Sequence, residues 1–269
     1  MAFKEIQSVH KAIDILEVLA LRDGFSLAQL NGETGMPKAT LLRFLRTLEA
    51  RQIVRRSLAD GKYRSNLDLP RARKNQVSGD GEVRGHSHLV LAATTELEDL
   101  ADRLPWPSDL FVRRGQAMEL VETSRNRSPL LVNRNQIGDR VDFILSAVGR
   151  TYLAFCPKVE REKILDELYS SRQERSTSNI KRSQLQRDIK IIQKEGYGSR
   201  GPGFTGATNT NKVLTDHLLA IAVPILVGKQ VAGCINMLWP KSADTIDGFS
   251  ARHFGDLQDA ARRIADSLT

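Results

Sequence analysis

Cysteine is nearly absent from this sequence, with only Cys156 and Cys234 among 269 residues. The two are far apart and lack the paired spacing of a zinc site or a disulfide framework, so we expect buried core thiols in a reducing compartment. No apolar run approaches the ~18 residues of a membrane span. The first residues also lack a basic segment followed by an apolar core, so the sequence predicts a cytoplasmic protein with no membrane partner.

Acidic residues are too few to balance the basic ones. Lys and Arg number 40 against 32 Asp and Glu, for a net charge of +8. Residues 1–78 hold 14 basic and 8 acidic side chains, whereas the other 191 residues hold 26 and 24. An N-terminal excess of this kind favours an anionic partner for that region over a merely basic average composition. The length allows two domains, each with its own core.

The first fifty residues carry three short helical patterns. Apolar residues recur at three- and four-residue steps from Ser8 to about residue 20, which predicts an amphipathic helix. The capping-box pattern Ser26-Leu27-Ala28-Gln29 opens a second helix, which Gly35 ends. Met36-Pro37 starts a third helix that continues to about Arg51. This order predicts a helix-turn-helix.

The third helix has a polar face suited to a DNA groove. On a helical wheel its leucines fall together, and the opposite arc carries arginine, threonine and alanine. Arginine can give a forked pair of hydrogen bonds to guanine, and small methyl groups can meet thymine. Residues 53–57 and 63–65 are predicted strands of a basic wing along the phosphate backbone. An ordinary solvated basic surface is the alternative. The predicted DNA-binding residues are Lys38, Ala39, Thr40, Arg43, Arg46 and Thr47 in the helix, and Arg55, Arg56, Lys62 and Arg64 in the wing.

Strand and helix patterns alternate beyond a polar linker. Without a strict βαβ repeat, their mixture predicts an α+β fold with helices packed on a sheet. The expected organisation is a winged helix-turn-helix domain at 1–68, a linker at 69–87 and a second domain at 88–269. Predicted strands lie at 108–112, 119–123, 218–227 and 230–239, and predicted helices at 88–104, 146–155, 160–169, 180–195 and from about 250.

Segments along nearly the whole chain resemble the IclR family of transcription regulators. They are residues 7–16 (QSVHKAIDIL), 35–40 (GMPKAT), 45–49 (LRTLE), 61–64 (GKYR), 146–154 (SAVGRTYLA), 221–225 (IAVPI) and 231–236 (VAGCIN). The resemblance implies a GAF-like C-terminal domain for effector binding and oligomerisation, in a dimer or tetramer. Residues 106–110, 127–129 and 149–157 are similar to the branch typified by the regulator of 3-(3-hydroxyphenyl)propionate breakdown, which implies a small, often aromatic, organic acid as effector.

The resemblance also implies a set of pocket residues, which are mostly apolar and so suit a small aromatic ligand. Carried over position by position, they are Leu130, Asn133, Val141, Ala147, Val148, Leu218, Ala220, Asn236 and Leu238. Many family members have an acidic residue shortly before the closing strands. This chain has Asn211 there, followed by Lys212, a candidate to meet a carboxylate.

Other clusters give weaker predictions of a site. Residues 86–88 (HSH) lack a patterned carboxylate or cysteine, so no metal is expected. Residues 196–203 (GYGSRGPG) lack the Lys-Ser/Thr step of a phosphate loop and indicate a loop or pocket lid. Ser108 and Asp109 lack the Gly-x-Ser-x-Gly elbow of a hydrolase. Trp239 is expected to be a packing anchor, with ligand stacking as the alternative.

The sequence therefore predicts a ligand-responsive transcription regulator rather than an enzyme, with no cofactor. Its expected partners are a double-stranded DNA operator, a small organic acid and further copies of itself, and its expected targets are catabolic genes. One alternative is a ligand sensor whose N-terminal domain mediates protein association. Another is a catalytic C-terminal domain with a DNA tether.

Overall fold

The structure, a computed structural model, describes residues 6–66, 87–129, 137–170, 180–206 and 217–269. The chain divides into two compact units, Met1–Leu91 and Ala92–Thr269. No helix in these described ranges is long and apolar enough to cross a membrane. The predicted linker up to residue 86, and the predicted pocket residues Leu130, Asn133, Asn211 and Lys212, lie outside the described residues.

Three helices and a two-stranded hairpin make up residues 6–66 of the first unit. They are α1 (Gln7–Leu21), α2 (Leu27–Thr34), α3 (Lys38–Ala50), β1 (Val54–Arg56) and β2 (Tyr63–Ser65). The capping box predicted at the start of α2 is confirmed, since Gln29 N donates to Ser26 Oγ at 3.2 Å and Ser26 N donates to Gln29 Oε1 at 2.9 Å. α1 begins at Gln7, one residue before the predicted start, so Ser8 lies inside the helix and no side chain caps it.

The turn between α2 and α3 fixes how the two helices meet. Gly35 ends α2 in the left-handed region at φ 66°, where glycine carries no steric penalty. Asn31 Nδ2 donates to Met36 O at 2.8 Å and closes the turn. Leu30 of α2 and Leu41 of α3 are both fully buried in the core below it. The predicted helix-turn-helix is therefore confirmed.

The hairpin is tied to the helices by its second strand. β1 and β2 pair antiparallel, with Arg55 opposite Arg64. Phe25, just before α2, exchanges both backbone hydrogen bonds with Tyr63, at 3.0 and 2.8 Å. Because Phe25 and Tyr63 are also buried, the wing moves with the helical core rather than as a separate ribbon.

The described part of the second unit holds a six-stranded antiparallel sheet and five helices. The strands follow the order β5-β4-β3-β8-β7-β6, so β3 and β8 are central. The mixed α+β fold is therefore confirmed. The elements are α4 (Ser87–Arg103), β3 (Ser108–Arg114), β4 (Ala117–Thr123), β5 (Arg140–Val141), α5 (Ala147–Phe155), α6 (Lys158–Ser170), α7 (Arg182–Glu195), β6 (Gly198–Ser199), β7 (Leu218–Val227), β8 (Gln230–Pro240) and α8 (Ile246–Asp266).

Helices cover both faces of this sheet. Leu238 belongs to the core cluster that includes the buried residues of α5, α6 and α7. Its neighbour Trp239 stacks on Phe249 of α8, with ring centroids 3.6 Å apart. Adjacent residues of a strand point to opposite faces, so α5 and α8 lie on opposite sides of the sheet. Trp239 is fully buried and its Nε1 donates to Asp244 O at 3.0 Å, as expected of a packing anchor.

Candidate DNA-binding surface and ligand pocket

The outer face of α3 carries the helix residues predicted to contact DNA. Leu41, Leu45 and Leu48 are buried on the inner face. The outer face is formed by Lys38, Ala39, Arg43, Arg46 and Thr47, which are exposed, and Thr40, which is half-buried. Thr47 Oγ1 donates to Arg43 O at 3.0 Å, so toward a further partner this hydroxyl can act only as an acceptor.

The wing holds three further basic residues at its surface. Arg56 is exposed, and Arg55 and Lys62 are half-buried. Arg56 Nε donates to Gly61 O at 3.0 Å across the hairpin turn. Lys62 Nζ lies 3.7 Å from Asp60 Oδ2. These positions remain predicted phosphate contacts.

Arg64, the fourth predicted wing contact, is buried, with 6% of its side chain exposed. Its Nη1 and Nη2 each lie 2.9 Å from an oxygen of Asp60, and its Nε lies 3.0 Å from Asp23 Oδ1. Burial alone would lower the pKa of Arg64, but the two carboxylates raise it. The sequence-based role of Arg64 is therefore corrected. Its guanidinium packs beside Gly24 and is already satisfied by Asp60 and Asp23, so it holds the wing instead of facing a phosphate.

Glu49 is a feature of this surface that the sequence did not single out. It is half-buried near the end of α3. Burial raises the pKa of its carboxyl, and the charges of Arg56 and Arg46 offset this increase only in part. Glu49 therefore lies within electrostatic reach of one predicted helix contact and one predicted wing contact. It partly balances their charge and links the two parts of the basic surface.

A pocket lies in the second unit beside the N-terminus of α5. Its cavity volume is about 20 Å³, and the whole space between atoms there, open solvent included, is about 320 Å³. The lining residues are Phe111, Arg125, Val141, Ser146, Ala147, Val148, Arg200, Phe204, Gly206 and Asn236. The predicted residues Val141, Ala147, Val148 and Asn236 thus come together here. The predicted residues Leu218, Ala220 and Leu238 are instead buried in the surrounding core, since their side chains pack among other apolar groups.

Arg125 gives the pocket a charged wall that the sequence did not reveal. Its Nε and Nη2 lie 2.9 and 2.6 Å from the two oxygens of Asp109, and both residues are almost fully buried. Thr123 Oγ1 donates to Asp109 Oδ1 at 2.6 Å, and Asp109 N donates to Asn236 Oδ1 at 3.0 Å. The hairpin register, which sets Asp109 opposite Thr123, is the signal that links these residues.

The N-terminus of α5 forms the second polar wall. Ser146 caps the helix by accepting a hydrogen bond from Gly149 N at 3.0 Å. The first intrahelical hydrogen bond of α5 runs from Arg150 N to Ser146 O. The amides of Ala147 and Val148 therefore have no acceptor within the helix, and they add the positive end of the helix dipole to the pocket. A Cβ on Gly149 would lie 2.5 Å from the backbone oxygen of Asp142. Glycine therefore lets the loop before α5 approach the helix closely.

The glycine-rich segment after α7 closes another side. Gly201 N donates to Leu145 O at 2.7 Å, which joins this segment to the loop before α5. The Arg200 guanidinium lies 4.7 Å from the centre of the Phe204 ring, and its Nη1 donates to Leu218 O at 2.9 Å. The predicted lid segment therefore lines the pocket, and Arg200 adds a second cationic side chain to it.

The two cysteines are packing residues of the same unit. Cys156 and Cys234 are both buried and unpaired. Burial raises the pKa of Cys156 to about 12 and that of Cys234 well above its ordinary range, so both stay protonated thiols. Across the ranges that the structure describes, no group of three or more His, Cys, Asp or Glu could hold a metal ion.

The architecture now defines a class of protein. A helix-turn-helix unit with a wing, joined in one chain to an α+β unit that holds a small pocket, is typical of ligand-responsive transcription regulators. Residues 8–58 match the IclR helix-turn-helix domain, and residues 82–266 match the C-terminal domain of the bacterial transcriptional regulator IclR. The chain therefore belongs to the IclR family.

Individual relatives agree with this assignment. The chain is 26% identical over 159 residues to the probable transcriptional regulator SauR of Cupriavidus necator, a match that spans 59% of this chain and 60% of SauR. The crystal structure of Thermotoga maritima IclR is similar in fold, with a TM-score of 0.55 at 17% identity over 98% of this chain and 99% of that one. An IclR homologue from Microbacterium hydrocarbonoxydans in complex with 4-hydroxybenzoate gives 0.51 at 17% identity over 97% and 98% of the two chains.

Proposed function

We propose that this chain regulates transcription by binding an operator through α3 and the wing, and that a small organic acid in the pocket sets its affinity for DNA. The observation that carries the proposal is the exposed outer face of α3. That face presents two arginines beside a basic hairpin, in a family whose N-terminal domain is a helix-turn-helix. Arg43 and Arg46 are the proposed base-reading residues, and Arg55, Arg56 and Lys62 the proposed phosphate contacts.

The ligand class follows from the pocket walls. Phe111, Val141 and Phe204 supply apolar surface, whereas Arg125, Arg200 and the first amides of α5 supply positive charge. Asp109 pairs with Arg125, one of these two guanidiniums. This combination favours a small molecule with an apolar body and one carboxylate. The 4-hydroxybenzoate bound to the Microbacterium relative has that chemistry and supports an aromatic acid. We extend the proposal to the aromatic-acid branch of the family and to control of catabolic genes.

A homo-oligomer is part of the proposal. Ile6, Val9 and Ile13 recur along one side of α1 and are 64%, 51% and 46% exposed. An apolar stripe of this kind suits a second copy, and a symmetric dimer would place two α3 helices on the half-sites of a palindromic operator. The same stripe is what favours the alternative that this unit mediates protein association without DNA. The domain limits 1–68, 69–87 and 88–269 and a cytoplasmic location belong to the proposal as well.

DNA binding is tested with the full chain on duplexes selected from a randomised pool. Arg43→Ala combined with Arg46→Ala should weaken binding by about 2–6 kcal/mol, because each forked arginine contact contributes about 1–3 kcal/mol. The matched control is Arg187→Ala with Lys190→Ala, which removes the same charge from the exposed side of α7. The control should keep the affinity for the selected site. Equal losses in both variants, or no dependence on salt concentration, would favour protein association over operator binding.

Acid binding is tested by thermal shift, with 4-hydroxybenzoate and benzoate compared with benzamide and benzyl alcohol. A ligand at 100 times its Kd stabilises the folded state by about 2.7 kcal/mol. We expect the acids to shift the transition and the neutral analogues to have little effect. Ala147→Trp should fill the pocket and remove the shift, while Arg200→Gln should weaken acids selectively. Conversion of any of these compounds during incubation would support a catalytic domain instead.

A further inference from the structure

Two arginines of a single turn connect the pocket to helix α4. The turn follows β4 and is closed by a hydrogen bond of 2.8 Å from Arg127 N to Ser124 O. Arg125 lies inside it on the pocket wall. Arg127 lies outside it, with Nη1 2.8 Å from Glu98 Oε1 and Nη2 2.9 Å from Asp102 Oδ1, both on α4. We call residues 124–127 the relay turn.

The relay turn is braced so that its two sides move together. Ser124 N donates to Ser108 O at 2.9 Å, and Ser124 Oγ accepts from Ser108 N at 2.9 Å. Arg125 N donates to Thr123 Oγ1 at 3.2 Å, and the same hydroxyl donates to Asp109. A short backbone turn held at this many points shifts as one body when a buried side chain within it is displaced.

Helix α4 is the element next to the connecting segment. It begins at Ser87, directly after the residues that follow the wing in the chain. One face of α4 is fully buried at Ala93, Leu97 and Leu100. At its surface the helix is also joined to α8 by ion pairs: Arg103 lies 3.0 Å from Asp256, and Arg263 of α8 lies 2.7 Å from Glu96. Arg127 contacts two carboxylates of α4 at once, so a shift of this one side chain changes two ion pairs of the helix together.

We infer that Arg127 is a positioning residue that transmits the state of the pocket to α4 through the relay turn. An acid in the pocket adds a carboxylate next to the pair Arg125 and Asp109, redistributes the hydrogen bonds of Arg125 and displaces the turn. Arg127 then changes its hold on Glu98 and Asp102. The inference rests on the proposed function, because it supplies the route by which a bound acid would reach the helix-turn-helix unit.

The test needs neither ligand nor DNA. Asp109→Asn disturbs the relay turn at Arg125, on its pocket side. The response on the other side is measured in the full chain as the rate of hydrogen exchange of the α4 amides. We expect Asp109→Asn to accelerate exchange in residues 92–103 by at least about five-fold, the lower end of typical coupling between sites. In a chain that also carries Arg127→Gln, Asp109→Asn should cause no further acceleration of α4.

Arg182→Gln is the matched control for Arg127→Gln. Arg182 also bridges two acids, Glu162 and Asp166, at 2.7 and 2.6 Å, and its side chain is 35% exposed against 39% for Arg127. With Arg182→Gln in place, Asp109→Asn should still accelerate α4. Acceleration of the same size with and without Arg127→Gln, or no acceleration at all, overturns the relay.

Hydrogen exchange in α7, residues 182–195, is the internal control for global destabilisation. It should stay unchanged when only α4 is affected. If Asp109→Asn prevents folding, Thr123→Val replaces it, because this variant removes only the hydrogen bond from Thr123 to Asp109. The exchange of α4 with and without Arg127→Gln then tests the relay in the same way. Acceleration of α4 and α7 together in Thr123→Val also counts against the relay. If an acid changes DNA affinity while the relay test fails, the proposed function stands and this route is wrong.

Discussion

Arg64→Ala separates a structural role for this residue from a role in DNA binding. The substitution removes three charged hydrogen bonds, two to Asp60 and one to Asp23. Breaking a fully buried ion pair costs about 3–5 kcal/mol. The cost here is smaller because the Asp60 and Asp23 side chains are 29% and 71% exposed and can be hydrated again. We therefore expect a loss of about 2 kcal/mol from the stability of the wing.

Hydrogen exchange measures this loss directly. The wing amides that report it are Tyr63 N, bonded to Phe25 O at 2.8 Å, and Ser57 N, bonded to Lys62 O at 2.9 Å. A loss of about 2 kcal/mol corresponds to exchange about 30-fold faster. Lys62→Ala is the control on the same hairpin, since its pair with Asp60 is longer, at 3.7 Å, and its side chain is 40% exposed. Its effect should stay below about 0.5 kcal/mol.

One result would refute this assignment. If Arg64→Ala leaves the wing amides as protected as before and instead lowers the salt dependence of DNA binding by about one unit of slope, then Arg64 contacts a phosphate. The sequence-based prediction would in that case be correct, and the inward-facing ion pairs would break when DNA binds.

Three further predictions concern packing, thiols and pH. Gly149→Ala places a methyl group 2.5 Å from the backbone of the preceding loop and should lower the stability of the folded state by about 1–3 kcal/mol. Thermal unfolding followed by tryptophan fluorescence measures this loss. Gly255→Ala in α8 is the control, because its methyl group meets nothing within 4 Å and should not destabilise the protein. Equal effects would contradict this account. Cys156 and Cys234 should react with a thiol reagent at pH 8 only after denaturation, so fast labelling of the native protein would disprove their burial. Burial alone would raise the pKa of Asp60, but hydrogen bonds from Arg64 and Lys62 outweigh it and hold this pKa below its ordinary 3.8. The ionised carboxylate therefore stabilises the wing fully above pH 3.8, and this stabilisation is lost as the pH falls through the lower pKa of the folded state. Amide NMR of the wing should show this loss in the native chain and not in Asp60→Asn.

The sequence predicted elements whose pattern repeats within a few residues. The capping box at Ser26 and the left-handed Gly35 are local features, and they appear where the sequence places them. The two-residue strands β5 and β6 are too short to produce an alternating pattern, so they were missed. α8 begins at Ile246 rather than near Ser250, because Thr245 caps it by accepting from Gly248 N at 3.1 Å.

The candidate site was harder to predict where partners are distant in sequence. Arg64 and Asp23 are 41 residues apart, and nothing local distinguishes an inward arginine from an outward one on a three-residue strand. Arg125 became a pocket residue only through the register of the β3–β4 hairpin. The family resemblance gave Ala147 and Val148, which lie in the first turn of α5 and line the pocket. It did not separate Leu238, which fills the core, from Asn236, which reaches the pocket wall.

The central position of β3 and β8 has a consequence for synthesis of the chain. β3 ends at Arg114 and cannot complete its pairing until β8, at 230–240, has been made. The three helices and the hairpin of the first unit end with β2, at Ser65. At translation rates of about 5–20 residues per second, this unit emerges about 10 to 35 seconds before the last central strand of the second unit. Each nascent chain therefore passes through a period in which the basic surface of α3 and the wing is formed and the pocket is not.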